Sequence, residues 1–217
     1  CYMRYYPNNE TASNVVGFSL SDGSEGSGGI EQYYNDELTG TNGREYGYLN
    51  DDADLEKVVK SAENGNSLVL TIDSTIQRIA EKYISEWENG EIGSKSAACI
   101  VMDPRNGEVL AMASTNSFDL NHPSTTGTYS EEEIIQFGIT AAINDYKSKK
   151  PNALTPDREQ IREYYTGEEI RNLGAGTAMN LVWRNICVSD TYEPGSTQKI
   201  FTVAGALEEG VIDETSD

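Results

Sequence analysis

Ser196 and Lys199 stand three positions apart in the segment YEPGSTQK, residues 192–199. A serine hydroxyl is a weak nucleophile until a base takes its proton, and a lysine amine can be that base only while uncharged. Beyond Pro194-Gly195, the apolar positions Ile200, Val203, Ala204 and Leu207 recur at helical spacing and stop at Gly210, which predicts a buried helix over about 197–209. Residues at i and i+3 share a helix face, and helical side chains lean toward the N-terminus, so Lys199 can reach back to the Ser196 hydroxyl. An apolar cleft and the positive end of the helix both disfavour an ammonium, which is the direction the chemistry needs. The Ser196 N–H, at the same helix end, is a candidate donor to the oxyanion that forms when a carbonyl is attacked. Gly195 leaves room for a substrate to approach.

The same letters also fit an ordinary helix start, with Ser196 as the cap and Lys199 on the surface. The chain holds 19 serines and 8 lysines, so about one Ser-x-x-Lys pair is expected from composition alone, and spacing by itself does not choose between the readings. The pair occurs once, at these two residues.

Composition narrows the setting. The 217 residues carry 36 acidic and 16 basic side chains, a net charge of -20, and no Lys/Arg-rich stripe. Such a surface repels phosphate backbones, which excludes nucleic acid as a partner class. Cys1, Cys99 and Cys187 lack metal-type spacing and His122 is the single histidine, which speaks against a structural zinc site. Cys99, inside AACIVM, is expected to pack as a small hydrophobe. No run approaches the roughly 18 apolar residues a membrane span needs, and no signal peptide precedes Cys1. An opening of CYMRYYPNN, without an initiator methionine at its first position, is expected of a piece cut from something longer.

Residues 1–65 are rich in Gly, Ser, Asn, Asp and Tyr, with β-like runs such as NVVGFSL and a glycine-dense loop, SDGSEGSGG, so they predict a small turn-rich module. From residue 66 the pattern changes. NSLVLTID predicts a strand, and STIQRIAEKYISEWENG a helix with Ile76, Ile79, Ala80, Tyr83, Ile84 and Trp87 on its apolar side, closed by Gly90. Asp73 or Ser74 is its expected cap, and Ser74 with Gln77 has the letters of a capping box. SAACIVMD and EVLAMAS, joined through PRNG, predict an antiparallel hairpin covered on both faces. Between 117 and 180, Ser130 with Glu133 predicts a second capping box, and Pro156 in TPDREQIREYY a helix first turn. Tyr164, Tyr165 and the EEE and GEE runs read there as a solvated helical surface.

WRNICVSDTYEPGSTQKIFTVAGALEEGVID resembles the nucleophile segment of class B penicillin-binding proteins, the peptidoglycan transpeptidases, in which a Trp-x-Asn element precedes Glu-Pro-Gly-Ser-x-x-Lys. RYYPNNETASNVVGF and GSGGIEQYYNDELTGTNG are similar to the family's N-terminal pedestal. LVLTIDSTIQRIAEKYI and ACIVMDPRNGEVLAMAS are similar to the start of its transpeptidase domain. Residues 121 to 180 carry no match. Gln198 stands where Phe is more usual and Cys187 where Ala is, neither at a reacting atom.

The resemblance implies an α+β fold: a β-rich pedestal module, residues 1–65, followed by the N-terminal part of a penicillin-binding transpeptidase domain, residues 66–217, an antiparallel sheet flanked by helices and truncated. It implies Ser196 as the acylated nucleophile and Lys199 as its proton acceptor. The implied reaction is D,D-transpeptidation that cross-links cell-wall stem peptides. β-Lactam antibiotics act as substrate mimics, and a membrane glycosyltransferase is the implied partner. The implied location is the outer face of the bacterial cell membrane, behind an N-terminal anchor. No metal or organic cofactor is implied. The family's downstream Ser-x-Asn and Lys-Thr/Ser-Gly elements do not occur after Lys199, and Ser114-Thr115-Asn116, which has the letters of the first, precedes the nucleophile and ends a hairpin strand. The chain is therefore expected to be a fragment, inactive and only partly stable alone. The alternatives are another Ser-x-x-Lys acyl enzyme, such as a β-lactamase or β-lactam sensor, or a non-catalytic cell-wall or partner-binding module.

Overall fold

The computed structural model describes residues 4–20, 25–49, 55–90, 94, 96–213 and 215. In chain order it runs α1 (Ser13–Val16), β1 (Phe18–Ser19), β2 (Gly26–Ser27), α2 (Gly29–Tyr33), α3 (Asn35–Leu38), β3 (Arg44–Leu49) and β4 (Leu55–Lys60). Then come α4 (Ser74–Glu88), β5 (Ala98–Met102), β6 (Val109–Ser114), α5 (Glu131–Lys149), α6 (Ile161–Tyr164), α7 (Gly167–Trp183), α8 (Ile186–Ser189) and α9 (Thr197–Glu208). The strands pair antiparallel as β1–β2, β3–β4 and β5–β6, giving the α+β class.

The hairpin forms where PRNG predicts it, with Cys99 opposite Ala113 and Val101 opposite Ala111, and a register irregularity beside Met102. Side chains alternate across a strand, so Ala111 and Ala113 share one face, and both are buried with Ala80 and Ile84 of α4. Cys99 packs beside them, as expected of a small apolar residue. The other face departs from the expectation of two-sided cover: Ile100 and Met102 are exposed.

Helix α4 starts at Asp73, whose Oδ1 accepts from the N–H groups of Thr75 at 2.8 Å and Ile76 at 2.9 Å. This cap displaces the expected Ser74–Gln77 box. Gln77 is fully buried instead. Its Nε2 donates to Met112 O at 2.9 Å and to Glu81 Oε1 at 2.7 Å, and its Oε1 accepts from Met112 N at 2.8 Å. An amide sewn to both backbone groups of one strand residue satisfies every polar atom it buries. The apolar stripe is narrower than its letters suggest, because Ile79, Tyr83 and Trp87 remain exposed.

NSLVLTID is not a strand. Among the described residues it joins no ladder, and Val69 is exposed. It touches the hairpin through Asp73 N to Leu110 O at 2.8 Å and Thr71 Oγ1 to Val109 O at 2.7 Å. NVVGFSL likewise divides into the short α1 and β1, and SDGSEGSGG is not loop throughout, since Gly26–Ser27 pair with β1 as β2 and Gly29 opens α2; its residues 21–24 lie outside the described residues. TPDREQIREYY yields only the single turn α6, because the Asp157 carboxylate ties the Glu159 and Gln160 N–H groups at 2.8 Å into a preceding turn.

Residues 130–183 form a helical pair. Capping boxes close the starts of α5, through Ser130 and Glu133, and α7, through Thr166 and Glu169. The helices approach at Gly138 and Gly174: a Cβ on Gly138 would lie 1.9 Å from Ile170 O, and one on Gly174 1.9 Å from Ile134 O. Ile139, Ala142, Ile161 and Ile170 fill the core beside this crossing. Tyr165 donates to Asp145 at 2.6 Å, and Tyr164 packs on Tyr146, so these tyrosines anchor the hairpin end while remaining partly solvated.

The N-terminal segment packs against later elements of the chain. Phe18 joins Phe118, Leu120 and Val182 in one buried cluster, against which Trp183 leans. Tyr6 donates to Glu31 Oε1 at 3.2 Å and accepts from Ser19 N at 2.8 Å, and Arg4 pairs with Glu31 at 3.4 Å. Burial, reinforced by the Glu31 charge, pushes the Tyr6 hydroxyl well above the ordinary tyrosine range. Ala12 adopts a left-handed φ of 55°, unfavourable for a residue with a Cβ. It is buried there, with its N–H donating to Glu81 of α4 at 2.7 Å.

Candidate functional site

Ser196 and Lys199 fall in the first turn of α9, Ser196 in the cap position with helical angles (φ -63°, ψ -18°) and Lys199 at the third helical position. The turn before it depends on Gly195 at φ +56°, a conformation glycine adopts freely. Thr197 Oγ1 donates to Pro194 O, and Thr197, Gln198 and Lys199 direct their N–H groups to the carbonyls of Pro194, Gly195 and Ser196. Among the described residues the Ser196 N–H finds no backbone acceptor, and its hydroxyl does not cap the helix. Hydroxyl and N–H of Ser196 are thus both available at the positive end of a helix. No hydrogen bond joins Ser196 Oγ to Lys199 Nζ among the described residues.

Burial corrects the sequence reading. The stripe on α9 is open: Ile200 and Phe201 are each 71% exposed, and Val203 and Leu207 are also exposed. Ser196 and Lys199 are themselves exposed. The periodicity is a sound guide to the helix, yet amphipathic letters fix a face and not its cover.

The approach to Ser196 is better held. Helix α7 ends with carbonyls that have no helical partner, and side chains supply donors. Asn116 Nδ2 reaches Leu181 O at 3.1 Å, and Asn14 Nδ2 reaches Val182 O at 2.8 Å and Arg184 O at 3.3 Å. Trp183 Nε1 donates to Pro123 O at 2.8 Å. Asn185 then caps α8 by accepting from Cys187 N at 3.1 Å, while its Nδ2 lies 3.1 Å from Met112 Sδ. Cys187 Sγ donates to Ala113 O at 3.4 Å, and burial pushes its thiol up, away from thiolate chemistry. Arg184 donates to Ser189 O and pairs with Asp190 at 2.8 Å. Asn116 is thereby occupied in closing α7.

Between β5 and residues 186–192 lies a cavity of about 490 Å³, lined by Ala98, Ile100, Ile186, Cys187 and Tyr192 among others. It flanks the open edge of the hairpin on the chain's path to Ser196. A larger hollow of about 700 Å³, near Arg4, Tyr6, Leu120 and His122, is lined by neither Ser196 nor Lys199. Of the polar groups around the approach, Asn185 is visible in the sequence as the last letter of Trp-x-Asn. Asn14 and Asn116 carry no local signal, because their partners lie 168 and 65 residues away.

Comparison with known proteins places the chain in a family. Residues 97–217, more than half of the chain, match the penicillin binding protein transpeptidase domain, and the chain belongs to that family. Among its relatives, stage V sporulation protein D of Bacillus subtilis is 30% identical over 213 residues, 95% of this chain and 24% of that protein. The probable peptidoglycan D,D-transpeptidase PenA of Neisseria gonorrhoeae is 30% identical over 154 residues, 68% of this chain and 26% of that protein. Among solved structures, penicillin binding protein 2X from Streptococcus thermophilus aligns with a TM-score of 0.47 at 20% identity, over 64% of this chain and 25% of that one. The chain spans about a quarter of the length of these relatives.

Proposed function

We propose that this chain carries the nucleophile of a peptidoglycan D,D-transpeptidase of the class B penicillin-binding type, with Ser196 acylated and Lys199 as its base. The observation that carries the reading is the first turn of α9, where Ser196 and Lys199 follow the left-handed Gly195 and the Ser196 N–H is unclaimed by the backbone. Family membership over 97–217 supports it. Residues 1–65 are read as the pedestal module and 66–217 as part of the transpeptidase domain. The Ser-x-Asn and Lys-Thr/Ser-Gly elements are assigned to the remainder of a longer protein.

In this reading Lys199 Nζ takes the Ser196 hydroxyl proton as Oγ attacks the penultimate D-Ala carbonyl of a stem peptide. The Ser196 N–H stabilises the oxyanion. The C–N bond to the terminal D-Ala breaks, and the departing amine receives the proton. An amino group of a neighbouring strand then attacks the ester, and Ser196 recovers a proton from it. A β-lactam forms the same ester and retains its leaving group. The active location is the outer face of the cell membrane. A membrane anchor and a membrane glycosyltransferase partner belong to the proposal; among the described residues no helix is long and apolar enough to cross a membrane.

The test is reaction of the full-length protein that carries this chain with a fluorescent penicillin. Ser196→Ala is expected to abolish labelling. Lys199→Arg, which keeps the charge but cannot accept a proton at neutral pH, is expected to slow it by at least about a hundredfold. Persisting label in Ser196→Ala would remove the reading, and rapid hydrolysis of the ester would favour the β-lactamase alternative.

A further inference from the structure

The chain between α7 and α9 is short, and it is held at its start by side chains far away in sequence. Asn14 belongs to α1, in the first part of the chain, yet its Nδ2 closes two carbonyls at the end of α7, Val182 O at 2.8 Å and Arg184 O at 3.3 Å. Asn185 returns the contact, its Nδ2 lying 3.5 Å from Asn14 O. Asn14 is therefore fastened from both directions to the junction from which residues 186–196 depart.

The element that carries Asn14 is itself anchored on three sides. Ala12 N donates to Glu81 of α4 at 2.7 Å, Ser13 Oγ accepts from Phe118 N at 3.3 Å, and Phe18 meets Phe118 edge-on, with ring centroids 5.9 Å apart. The Phe18 ring also lies 4.9 Å from that of Trp183, the residue between the two carbonyls that Asn14 holds. Helix α9 has exposed faces and lacks a side-chain cap, so its own packing does little to fix its place. Residues 188–196, exposed throughout, carry the chain from the 181–187 junction to the first turn of α9, and Asn14 is the contribution of the N-terminal part to that junction.

We propose that Asn14 is a positioning residue for the nucleophile segment, its amide holding the α7–α8 junction so that Ser196 is presented at a fixed place. This rests on Ser196 being the nucleophile. Asn14 touches no reacting atom, and it acts through the backbone of Val182 and Arg184. A small displacement of a reacting group costs far more rate than stability, because the aligned geometry is what makes the attack effectively intramolecular.

The test is the second-order rate of acylation by a fluorescent penicillin in the full-length protein, measured well below the melting temperature of each variant. Asn14→Asp keeps the shape and replaces the donor with an oxygen facing two carbonyls, and Asn14→Ala removes the amide without adding charge. Each is expected to acylate about ten- to a hundredfold more slowly while the protein remains folded. Asn14→Gln, which retains the donor on a longer arm, is expected to recover part of the rate. An unchanged rate in folded Asn14→Asp or Asn14→Ala would overturn the proposal, as would a loss that only tracks the unfolded fraction. Failure of both variants to fold would make Asn14 a stability determinant and would also overturn it. Ser196→Ala, run alongside, separates the two claims: its label must vanish for the nucleophile reading to stand, whatever Asn14 does.

Discussion

Replacing Gly174 with alanine tests the helical pair most sharply. A Cβ there would lie 1.9 Å from Ile134 O and 2.9 Å from Gly138 N, both backbone atoms that cannot rotate away. Ordinary contact begins near 3.4 Å, so α5 and α7 must part by about 1.5 Å, opening the core at Ile139 and Ile170. Overpacking of this kind costs about 1–3 kcal/mol, and a clash with backbone lies at or beyond the upper end. Alanine returns about 1 kcal/mol of helix propensity. A net loss of about 2 kcal/mol corresponds to a fall of about 4–8 °C in Tm for a chain of this size. Gly176, two residues along the same helix, provides the control: a Cβ there meets nothing within 4 Å. Gly176→Ala keeps the propensity gain without the clash and is expected to raise Tm by about 2–4 °C. Melting followed by far-ultraviolet circular dichroism reads both. A Gly174→Ala variant as stable as Gly176→Ala would refute the close crossing.

Buried polar groups give further expectations. Gln77→Leu keeps an apolar fit against the hairpin but strands the N–H and C=O of Met112, so it is expected to lose about 2–4 kcal/mol, and an unchanged denaturant midpoint would contradict the observed bonding. Tyr6 has its folded pKa raised, so the unfolded chain loses that proton first. Stability from this group is complete below about pH 10 and declines as pH rises further. Melting profiles from pH 8 to 11 are expected to steepen above about pH 10, and Tyr6→Phe should flatten that limb while lowering the plateau, since Ser19 N loses its acceptor.

The sequence made some of this architecture legible and hid the rest for definite reasons. Elements governed by short-range chemistry stand out: the PRNG hairpin, the Ser130–Glu133 box opening α5, and the helix beginning at Thr197. Apolar letters are less informative about burial, since NSLVLTID forms no ladder among the described residues and leaves Val69 exposed, and the α9 stripe lies open. Gln77 shows why a motif can mislead. Its spacing from Ser74 suits a capping box, but the adjacent Asp73 takes the cap, and the Met112 backbone takes the amide. The Ser-x-x-Lys pair is legible because one helical turn sets both residues. The amides of Asn14 and Asn116 are not, because nothing local marks a side chain whose partner is brought close only by the fold.

The central claim is that Ser196 is the atom-bearing nucleophile. It is tested most directly by reacting the full-length protein with benzylpenicillin, digesting it, and locating the penicilloyl adduct by tandem mass spectrometry. The account predicts one adduct, on the peptide containing YEPGSTQK and at its serine. An adduct on another residue, with this peptide recovered unmodified, would contradict it.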